Sequence, residues 1–276
     1  MKKLDLSGVA DLFNVTAEQS AHDYRDEEGL LVCGMCGERK ESRHTVLGME
    51  KRLPIQCACE RGVREREKAA EERLKMQQEA DKARKRCFPF ASMAEMTFEN
   101  AEPSDALTKC ERYADRFESF EAVGGGLLLY GFVGTGKTYA AAAIANRLID
   151  SGYTALFTSL ATLGNKMTAQ RFDKADVLGE ICGYDCVILD DLGIERTTPT
   201  MGENVYQIIN ALYLSGTVMI VTTNLDMKQI QGEQDPDRAR IYSRLLDCCR
   251  PLEVKGSDRR KLRSREKAKL YDEVWK

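Results

Sequence analysis

The clearest candidate for chemistry in this sequence is a glycine-rich segment, LYGFVGTGKT, at the end of an apolar run. Its glycines allow the loop to turn sharply and bring backbone N–H groups close to an anion. The spacing Gly131-x4-Gly136-Lys137-Thr138 predicts a nucleoside triphosphate site, with Lys137 at the β- and γ-phosphates and the Thr138 hydroxyl on Mg²⁺. The residues predicted to bind ATP or ADP here are Gly131, Gly134, Thr135, Gly136, Lys137, Thr138 and Tyr139.

Two adjacent carboxylates, Asp190 and Asp191, end the apolar run CVIL. Ligands of open α/β sheets collect at the carboxyl ends of the strands, so a carboxylate there can hold Mg²⁺ opposite the Thr138 hydroxyl. We assign this role to Asp190 and expect Asp191 to polarise the attacking water. The plain alternative is a pair of solvent-facing acids at a strand end.

A further candidate for catalysis, Asn224, ends the run VMIVTT. Its neutral amide can donate a hydrogen bond to the γ-phosphate or orient a water without adding charge. An asparagine after a strand is ordinarily only a turn residue. Its order in the chain, after the glycine loop and the acidic strand, favours the catalytic role.

Four of the ten cysteines lie near the start of the chain, as Cys33-x2-Cys36 and Cys57-x-Cys59. Two pairs of thiolates, each on a turn, are typical of a tetrahedral Zn²⁺ site, and four cysteine ligands leave no open position for catalysis. The sequence therefore predicts a structural zinc site, in which His44 could replace one cysteine. Four buried free thiols and an iron–sulfur site are the alternatives, but so short and charged a segment has little core to bury thiols.

From Phe88 onward, apolar strand candidates alternate with helical patterns, which predicts an α/β fold with a parallel five-stranded sheet flanked by helices. The predicted strands cover Leu127–Tyr130, Thr154–Ser159, Cys186–Asp191, Val218–Asn224 and Pro251–Gly256. The predicted helices cover Tyr139–Ile149, Leu160–Ala169, Asn204–Leu214 and Arg238–Cys248.

Composition divides the 276 residues into four predicted regions. Residues 1–62 form a small, irregular zinc-binding module, 63–87 a charged helical linker, 88–258 the nucleotide-binding domain and 259–276 a basic tail in which Trp275 could anchor a helix to the body. The net charge of −3 leaves nucleic-acid binding to local basic patches. No run approaches the ~18 apolar residues that span a bilayer. Ten cysteines beside a nucleotide motif indicate reduced thiols in the cytoplasm.

Four segments in this order, LYGFVGTGKT, VILDDLGIE, IVTTNL and RIYSRLLD…VKGSDRR, resemble the AAA+ ATPases of the DnaC/DnaI helicase-loader and IstB transposition-helper group. The resemblance covers roughly residues 88–260 and implies an AAA+ P-loop NTPase fold for the domain 88–258. It also implies ATP hydrolysis at sites shared between neighbouring copies of the chain.

The resemblance implies roles for two arginines in the last part of this domain. Arg244 matches the residue that reaches the γ-phosphate bound by the next subunit, and Arg240, one helical turn earlier, is the reserve. Arg259 matches an arginine that contacts the nucleotide of its own subunit, with the adjacent Arg260 as the alternative. A guanidinium suits both positions because it stabilises charge on a phosphoryl group.

Two acidic positions complete the comparison with that group. Glu195 matches the group's pattern, but no chemistry is assigned to it. AAA+ proteins more commonly carry glutamate where Asp191 stands, and this change suggests a slow, switch-like ATPase.

The leading functional hypothesis is an ATP-dependent loader that binds a replicative hexameric DNA helicase and delivers it to single-stranded DNA during replication initiation or restart. The zinc module would bind the helicase. The AAA+ domain would assemble on DNA and change its state with ATP. Two alternatives remain. An IstB-like transposition helper would typically begin with a helical arm and no cysteine cluster. A nucleotide-dependent adaptor would bind ATP without hydrolysing it.

Overall fold

The structure is a computed structural model that describes residues 17–46, 49–169, 172–193 and 198–275. The chain divides into two compact units, Met1–Met76 and Gln77–Lys276. Within the described ranges, no helix combines the length and the apolar character that a membrane crossing requires.

The first unit contains two small antiparallel hairpins. Strand β1 (Tyr24–Arg25) pairs with β2 (Leu31–Val32), and β3 (Glu41–Val46) pairs with β4 (Met49–Pro54). The apolar run 30–32 is buried and supplies most of the small core here. The expectation of an irregular segment was wrong, because β3 and β4 are rich in charged residues and lack the apolar alternation that marks a half-buried strand.

One long helix, α1 (Ala58–Cys87), runs through the charged region, as predicted from its composition. Glu60 lies in its first turn, and Arg84, Lys85 and Arg86 lie in its last turn. This distribution of charge complements the helix macrodipole and stabilises both ends. Its side chains are mostly exposed, and Cys87 at its end is buried.

The second unit is built on a parallel five-stranded sheet with the strand order β6–β7–β8–β5–β9. The strands are β5 (Gly126–Tyr130), β6 (Ala155–Ser159), β7 (Cys186–Leu192), β8 (Val218–Thr223) and β9 (Cys249–Glu253). The predicted parallel sheet of five strands is therefore confirmed. The apolar runs are buried because helices cover both faces of the sheet.

The limits of the last strand differ from the prediction. Strand β9 begins at Cys249, before the expected start at Pro251, and ends at Glu253. It lies at the edge of the sheet, where β5 is its one partner strand among the residues that the structure describes. Proline has no N–H to donate, and an edge strand tolerates it because one side of its backbone has no neighbouring strand.

Alternating residues of the strands divide the core between the two faces of the sheet. On one face, Ile188 packs in the same cluster as Ile144 and Leu148 of the helix Lys137–Asp150. On the other face, Leu189 packs in a cluster with Ile208 of the helix Pro199–Ser215. The helices of this unit are α2 (Asp105–Asp115), α3 (Phe117–Glu121), α4 (Lys137–Asp150), α5 (Leu160–Thr168), α6 (Lys174–Cys182), α7 (Pro199–Ser215), α8 (Met227–Gln231), α9 (Pro236–Cys248) and α10 (Arg259–Val274).

Trp275 does not anchor helix α10, contrary to expectation. Its side chain is 78% exposed, and its ring lies 5.3 Å from that of Tyr271, between ring centroids. Helix α10 is instead fixed at its start, where the Asp258 side chain accepts hydrogen bonds from the backbone N–H groups of Arg260 and Lys261.

Candidate functional site

The glycine loop connects the carboxyl end of β5 to the first turn of α4. Gly131, Gly134 and Gly136 have φ angles of 145°, 83° and 102°, a backbone region that side chains disfavour. A Cβ atom on Gly134 would lie 2.1 Å from Oδ1 of Asp258, so glycine is required here. The loop leads into a helix N-terminus with exposed N–H donors, which fits a phosphate group.

Lys137 lies at the start of α4 and is buried. Its Nζ donates to the carbonyl oxygens of Gly131, at 2.9 Å, and Phe132, at 2.8 Å. Burial lowers the pKa of Lys137, while the carboxylates of Asp191 and Asp190 oppose that shift. The hydrogen-bond partners of this ammonium are neutral carbonyls, which an anionic phosphate could replace.

The predicted magnesium ligands, Thr138 and Asp190, are adjacent in the structure. Oγ1 of Thr138 donates to Oδ1 of Asp190 at 3.1 Å. Burial raises the pKa of Asp190, and hydrogen bonds from Thr222 and Thr138 act in the opposite direction. A hydroxyl and a carboxylate side by side below a phosphate cradle form a donor set that fits Mg²⁺.

Asp191 is the one non-glycine residue with positive φ, 61°, among those the structure describes. The pairing of β7 with β8 shifts register between Leu189 and Leu192, so the irregularity lies at the two aspartates. Adjacent residues of a regular strand face opposite sides of the sheet. Here the irregularity lets Asp190 contact Thr138 while Asp191 lines the neighbouring cleft.

The cleft beside the loop has a volume of about 830 Å³. It brings together many of the residues singled out in the sequence: Gly134, Gly136, Lys137, Thr138, Tyr139, Asp191, Asn224, Arg259 and Arg260. Four further lining residues, Ser92, Glu95, Met96 and Asn100, were not foreseen. They lie on and just after a 3₁₀ turn (Ala91–Glu95), and no phosphate motif marks them in the sequence. The hydroxyl of Tyr139 ties α4 to this segment by donating to the Thr97 carbonyl at 2.9 Å.

The two arginines at the start of α10 both line the cleft. The backbone N–H of Arg259 donates to the Gly134 carbonyl at 3.0 Å, and its guanidinium lies 3.6 Å from the Glu102 carboxylate. The positive charge of Arg260 contributes to the lowered pKa of Lys137. Which arginine contacts the nucleotide therefore stays a prediction, in which Arg259 is the first choice and Arg260 is the alternative.

Arg244 lies elsewhere in the second unit, on α9. Its guanidinium donates to the Tyr206 hydroxyl at 3.0 Å and stacks over the same ring at 4.9 Å from the centroid. Among the described residues that line the cleft, neither Arg244 nor Arg240 is found. Their roles stay predictions, and Glu195 lies outside the described residues.

The four predicted zinc ligands converge in the first unit. One sulfur atom each from Cys33, Cys36, Cys57 and Cys59 lies within 4.8 Å of all the others. Tetrahedral coordination at Zn–S distances of about 2.3 Å needs sulfurs that approach one another closely, so this arrangement fits zinc. His44 lies on β3, where its Nε2 is 2.9 Å from Oγ of Ser42, and the converging group found in the described residues contains only cysteines.

The second cysteine pair differs from the expectation of two turns. Cys57 directly precedes α1, and Cys59 lies in its first turn, so a helix N-terminus presents this pair. Backbone N–H groups of Glu38 and Cys59 lower the pKa of Cys36 to about 6, whereas burial raises the pKa of Cys57. A thiolate favoured at one position is suited to metal binding, because zinc binds the deprotonated sulfur.

The phosphate cradle at the carboxyl end of β5, with Asp190 on β7 and Asn224 directly after β8 at the same edge of the sheet, defines an ATP-binding protein of the AAA+ P-loop class. The chain belongs to the family of IstB-like ATP binding proteins, whose model matches residues 43–268.

The relatives that this chain matches include an insertion sequence ATP-binding protein and replicative helicase loaders. The chain is 31% identical over 105 residues to a putative insertion sequence ATP-binding protein of Sinorhizobium fredii, covering 37% of this chain and 35% of that protein. It is 26% identical over 148 residues to the replicative helicase loader DnaC of Escherichia coli, covering 51% of this chain and 59% of DnaC. It thus spans less than two thirds of either relative.

The replicative helicase loader DnaI of Bacillus subtilis matches over a longer range. It is 22% identical over 244 residues, covering 83% of this chain and 78% of DnaI. A crystal structure of DnaI, with 26% identity and a TM-score of 0.52, covers 63% of this chain and 95% of that chain. These matches agree with the AAA+ fold built from the strands and helices above.

Proposed function

We propose that this protein is an ATP-dependent loader that binds a replicative hexameric DNA helicase and delivers it to single-stranded DNA. The observation that carries the proposal is the extent of the similarity to DnaI. A match over 83% of the chain is longer than the second unit, so it reaches into the unit that holds the cysteine cluster. Similarity confined to the ATP-binding unit would not separate a loader from other ATP-binding proteins.

In this proposal, the second unit binds and hydrolyses ATP. Bound Mg²⁺ would supply positive charge at the β- and γ-phosphates, and Thr138 and Asp190 would hold it. The loop N–H groups and Lys137 bind the phosphates, while Asp191 polarises the attacking water and Asn224 donates to the γ-phosphate or orients that water. These groups come from three segments, namely the glycine loop with the start of α4, the end of β7 and the residue after β8, so the sheet sets their spacing.

The first unit, in the same proposal, holds Zn²⁺ with Cys33, Cys36, Cys57 and Cys59 and contacts the helicase. A closed four-cysteine site has a structural role, because no position is left for a substrate. The small core around residues 30–32 makes metal binding a large part of the stability of this unit.

We further propose that copies of the chain associate and share ATP sites, with Arg244 acting on the γ-phosphate bound by a neighbouring copy. The location of Arg244 away from the residues that line its own cleft is compatible with this role. Its guanidinium is partly exposed beside Tyr206 on the surface of α7 and α9, where a neighbouring copy could meet it.

A transposition helper is the second candidate. It is favoured by the match to the insertion sequence ATP-binding protein and by the family model itself. A third candidate, an adaptor that binds ATP without hydrolysing it, rests on the aspartate at position 191.

The three candidates separate in one set of experiments with the tagged full chain. From lysate of the native cell, we expect a replicative helicase and not a transposase to be recovered. The Cys57→Ser, Cys59→Ser double variant should lose the helicase, whereas Lys137→Ala should keep it but fail to load it on single-stranded DNA. Recovery of a transposase alone would favour the helper, and helicase loading without ATP turnover would favour the adaptor.

A further inference from the structure

A buried threonine on β8 connects the two aspartates at the end of β7. Thr222 has no exposed surface. Its hydroxyl donates to Oδ1 of Asp190 at 2.6 Å and accepts from the backbone N–H of Asp191 at 2.9 Å. The hydroxyl therefore contacts both residues at once, as donor to one and acceptor from the other.

The contact with Asp191 lies where β7 departs from regular pairing. Between Leu189 and Leu192 the register shifts, and Asp191 has a φ of 61°. This conformation is costly for a residue with a Cβ and persists only where its surroundings hold it. The Asp191 N–H, which has no regular ladder partner at the shift, is satisfied by the Thr222 hydroxyl.

The contact with Asp190 orients the carboxylate that is proposed to hold Mg²⁺. Oδ1 of Asp190 accepts from Thr222 on β8 and from Thr138 in the first turn of α4. Two donors from different elements restrict the carboxylate to one orientation, beside the hydroxyl proposed to hold Mg²⁺. Groups that orient metal ligands in this way typically contribute about 10–100-fold to metal affinity or activity.

We propose that Thr222 is a positioning residue for the magnesium–nucleotide site: its hydroxyl orients the Asp190 carboxylate toward the metal and holds the Asp191 backbone so that this side chain faces the cleft. The inference rests on the proposed ATP-binding function and adds a residue that no phosphate motif contains. Thr222 acts through the aspartates and does not itself line the cleft among the described residues.

The next residue provides a matched control. Thr223 is also fully buried on β8, and its hydroxyl also makes two hydrogen bonds, both with backbone groups. It donates to the Leu192 carbonyl at 2.8 Å and accepts from the Leu225 N–H at 3.1 Å. Valine at either position removes one buried hydroxyl and keeps the shape of the side chain. Only the Thr222 change affects a carboxylate of the site.

The test compares Thr222→Val, Thr222→Ser and Thr223→Val in the full chain. The affinity for a fluorescent ADP analogue is measured with Mg²⁺ and with chelator, and kcat and KM for ATP are measured separately. For Thr222→Val we expect the ratio of the affinity with Mg²⁺ to the affinity with chelator to fall about 10-fold, while the affinity with chelator stays unchanged. We also expect kcat to fall about 10-fold or more. Thr222→Ser should restore the Mg²⁺-dependent affinity and kcat, because serine keeps the hydroxyl. Thr223→Val should keep the Mg²⁺-dependent affinity and kcat within about 2-fold of the parent chain.

The proposal fails if Thr222→Val and Thr223→Val have the same Mg²⁺ dependence, or if Thr222→Val weakens nucleotide binding equally with and without Mg²⁺. If Thr222→Val does not fold, Thr222→Ala is measured in the same two assays and interpreted by the same criteria. Absence of ATP turnover in the parent chain would contradict the proposed ATPase alone, since the Mg²⁺-dependent affinity still tests Thr222.

Discussion

The nucleotide cleft and the cysteine cluster are built in opposite ways. The cleft gathers groups from distant parts of the second unit, from Ser92 to Arg260, on a sheet with a large buried core. The cluster gathers four thiols from two short segments of a unit whose core is small. In the cleft, the fold holds the ligand-binding residues in place, whereas at the cluster we expect a bound metal to stabilise the fold.

The surroundings of the cluster support this contrast. Lys40 is buried, and its Nζ lies 3.0 Å from Asp23 Oδ2 and 2.7 Å from Glu60 Oε1. Glu60 follows Cys59 in the first turn of α1, so this ion network joins the hairpin region to the segment that carries two of the thiols. Hydrogen bonds raise the pKa of Lys40, which keeps it charged. These polar contacts thus replace part of the apolar core that this unit lacks, and the proposed metal would add to them.

The largest expected effect comes from breaking the cluster. Metal analysis of the purified chain should give about one Zn²⁺ per chain. Cys57→Ser with Cys59→Ser should abolish zinc binding and unfold the first unit, because structural zinc contributes roughly 10–16 kcal/mol in small zinc domains at neutral pH. Limited proteolysis should then cut within residues 17–60, while ATP affinity stays as in the parent chain. A double variant that kept its metal would show that the ligand set is wrong.

The next largest effect is expected from removing the lysine that lines the cleft. Lys137→Ala removes the ammonium from the phosphates and should lower ATP affinity about 10–100-fold, since a hydrogen bond to a charged group contributes roughly 1.5–3 kcal/mol. Zinc content and thermal unfolding should not change, because the sheet does not depend on this side chain. Titration with a fluorescent ATP analogue measures the affinity, with Lys174→Ala as a lysine control outside the cleft. Unchanged binding by the folded Lys137→Ala chain would contradict the site.

A smaller effect is expected for the arginine proposed to act between copies. Arg244→Ala should bind ATP nearly normally but hydrolyse it about 10-fold or more slowly on single-stranded DNA. Mixing it with the Lys137→Ala chain should restore part of the ATPase rate, because mixed interfaces pair an intact loop with an intact arginine. If mixed assemblies form and the rate does not recover at any ratio, Arg244 does not act across an interface.

The smallest effect is expected from removing one of the two arginine side chains that line the cleft. Arg259→Ala should lower nucleotide affinity by at most about 5-fold, the range of an exposed ion pair, because Lys137 and the loop N–H groups remain. Arg260→Ala is the matched control one residue away, and the same titration measures both. A larger loss for Arg260→Ala would assign the nucleotide contact to that residue.

Much of this architecture could be predicted from sequence because its signals are local. Apolar runs located the strands, and the spacing of Gly131 to Thr138 located the phosphate loop. The β3–β4 hairpin was missed because its strands are charged, and pairing across the hairpin, not burial, defines them. The positive φ of Asp191 and the bridge from Thr222 were also not predictable, since both depend on how β7 and β8 align in space. That Ser92 and Asn100 line the cleft was also not predictable, because it depends on how distant segments of the chain pack.

The exposed ring of Trp275 has a spectroscopic consequence. It is the sole tryptophan of the sequence, and it lies at the end of the helix that begins with the cleft arginines. Selective excitation of indole therefore reports on this end of α10 without any label. Burial of the ring by a bound protein or nucleic acid would shift its emission to shorter wavelength, whereas events confined to the cysteine cluster would leave the emission unchanged.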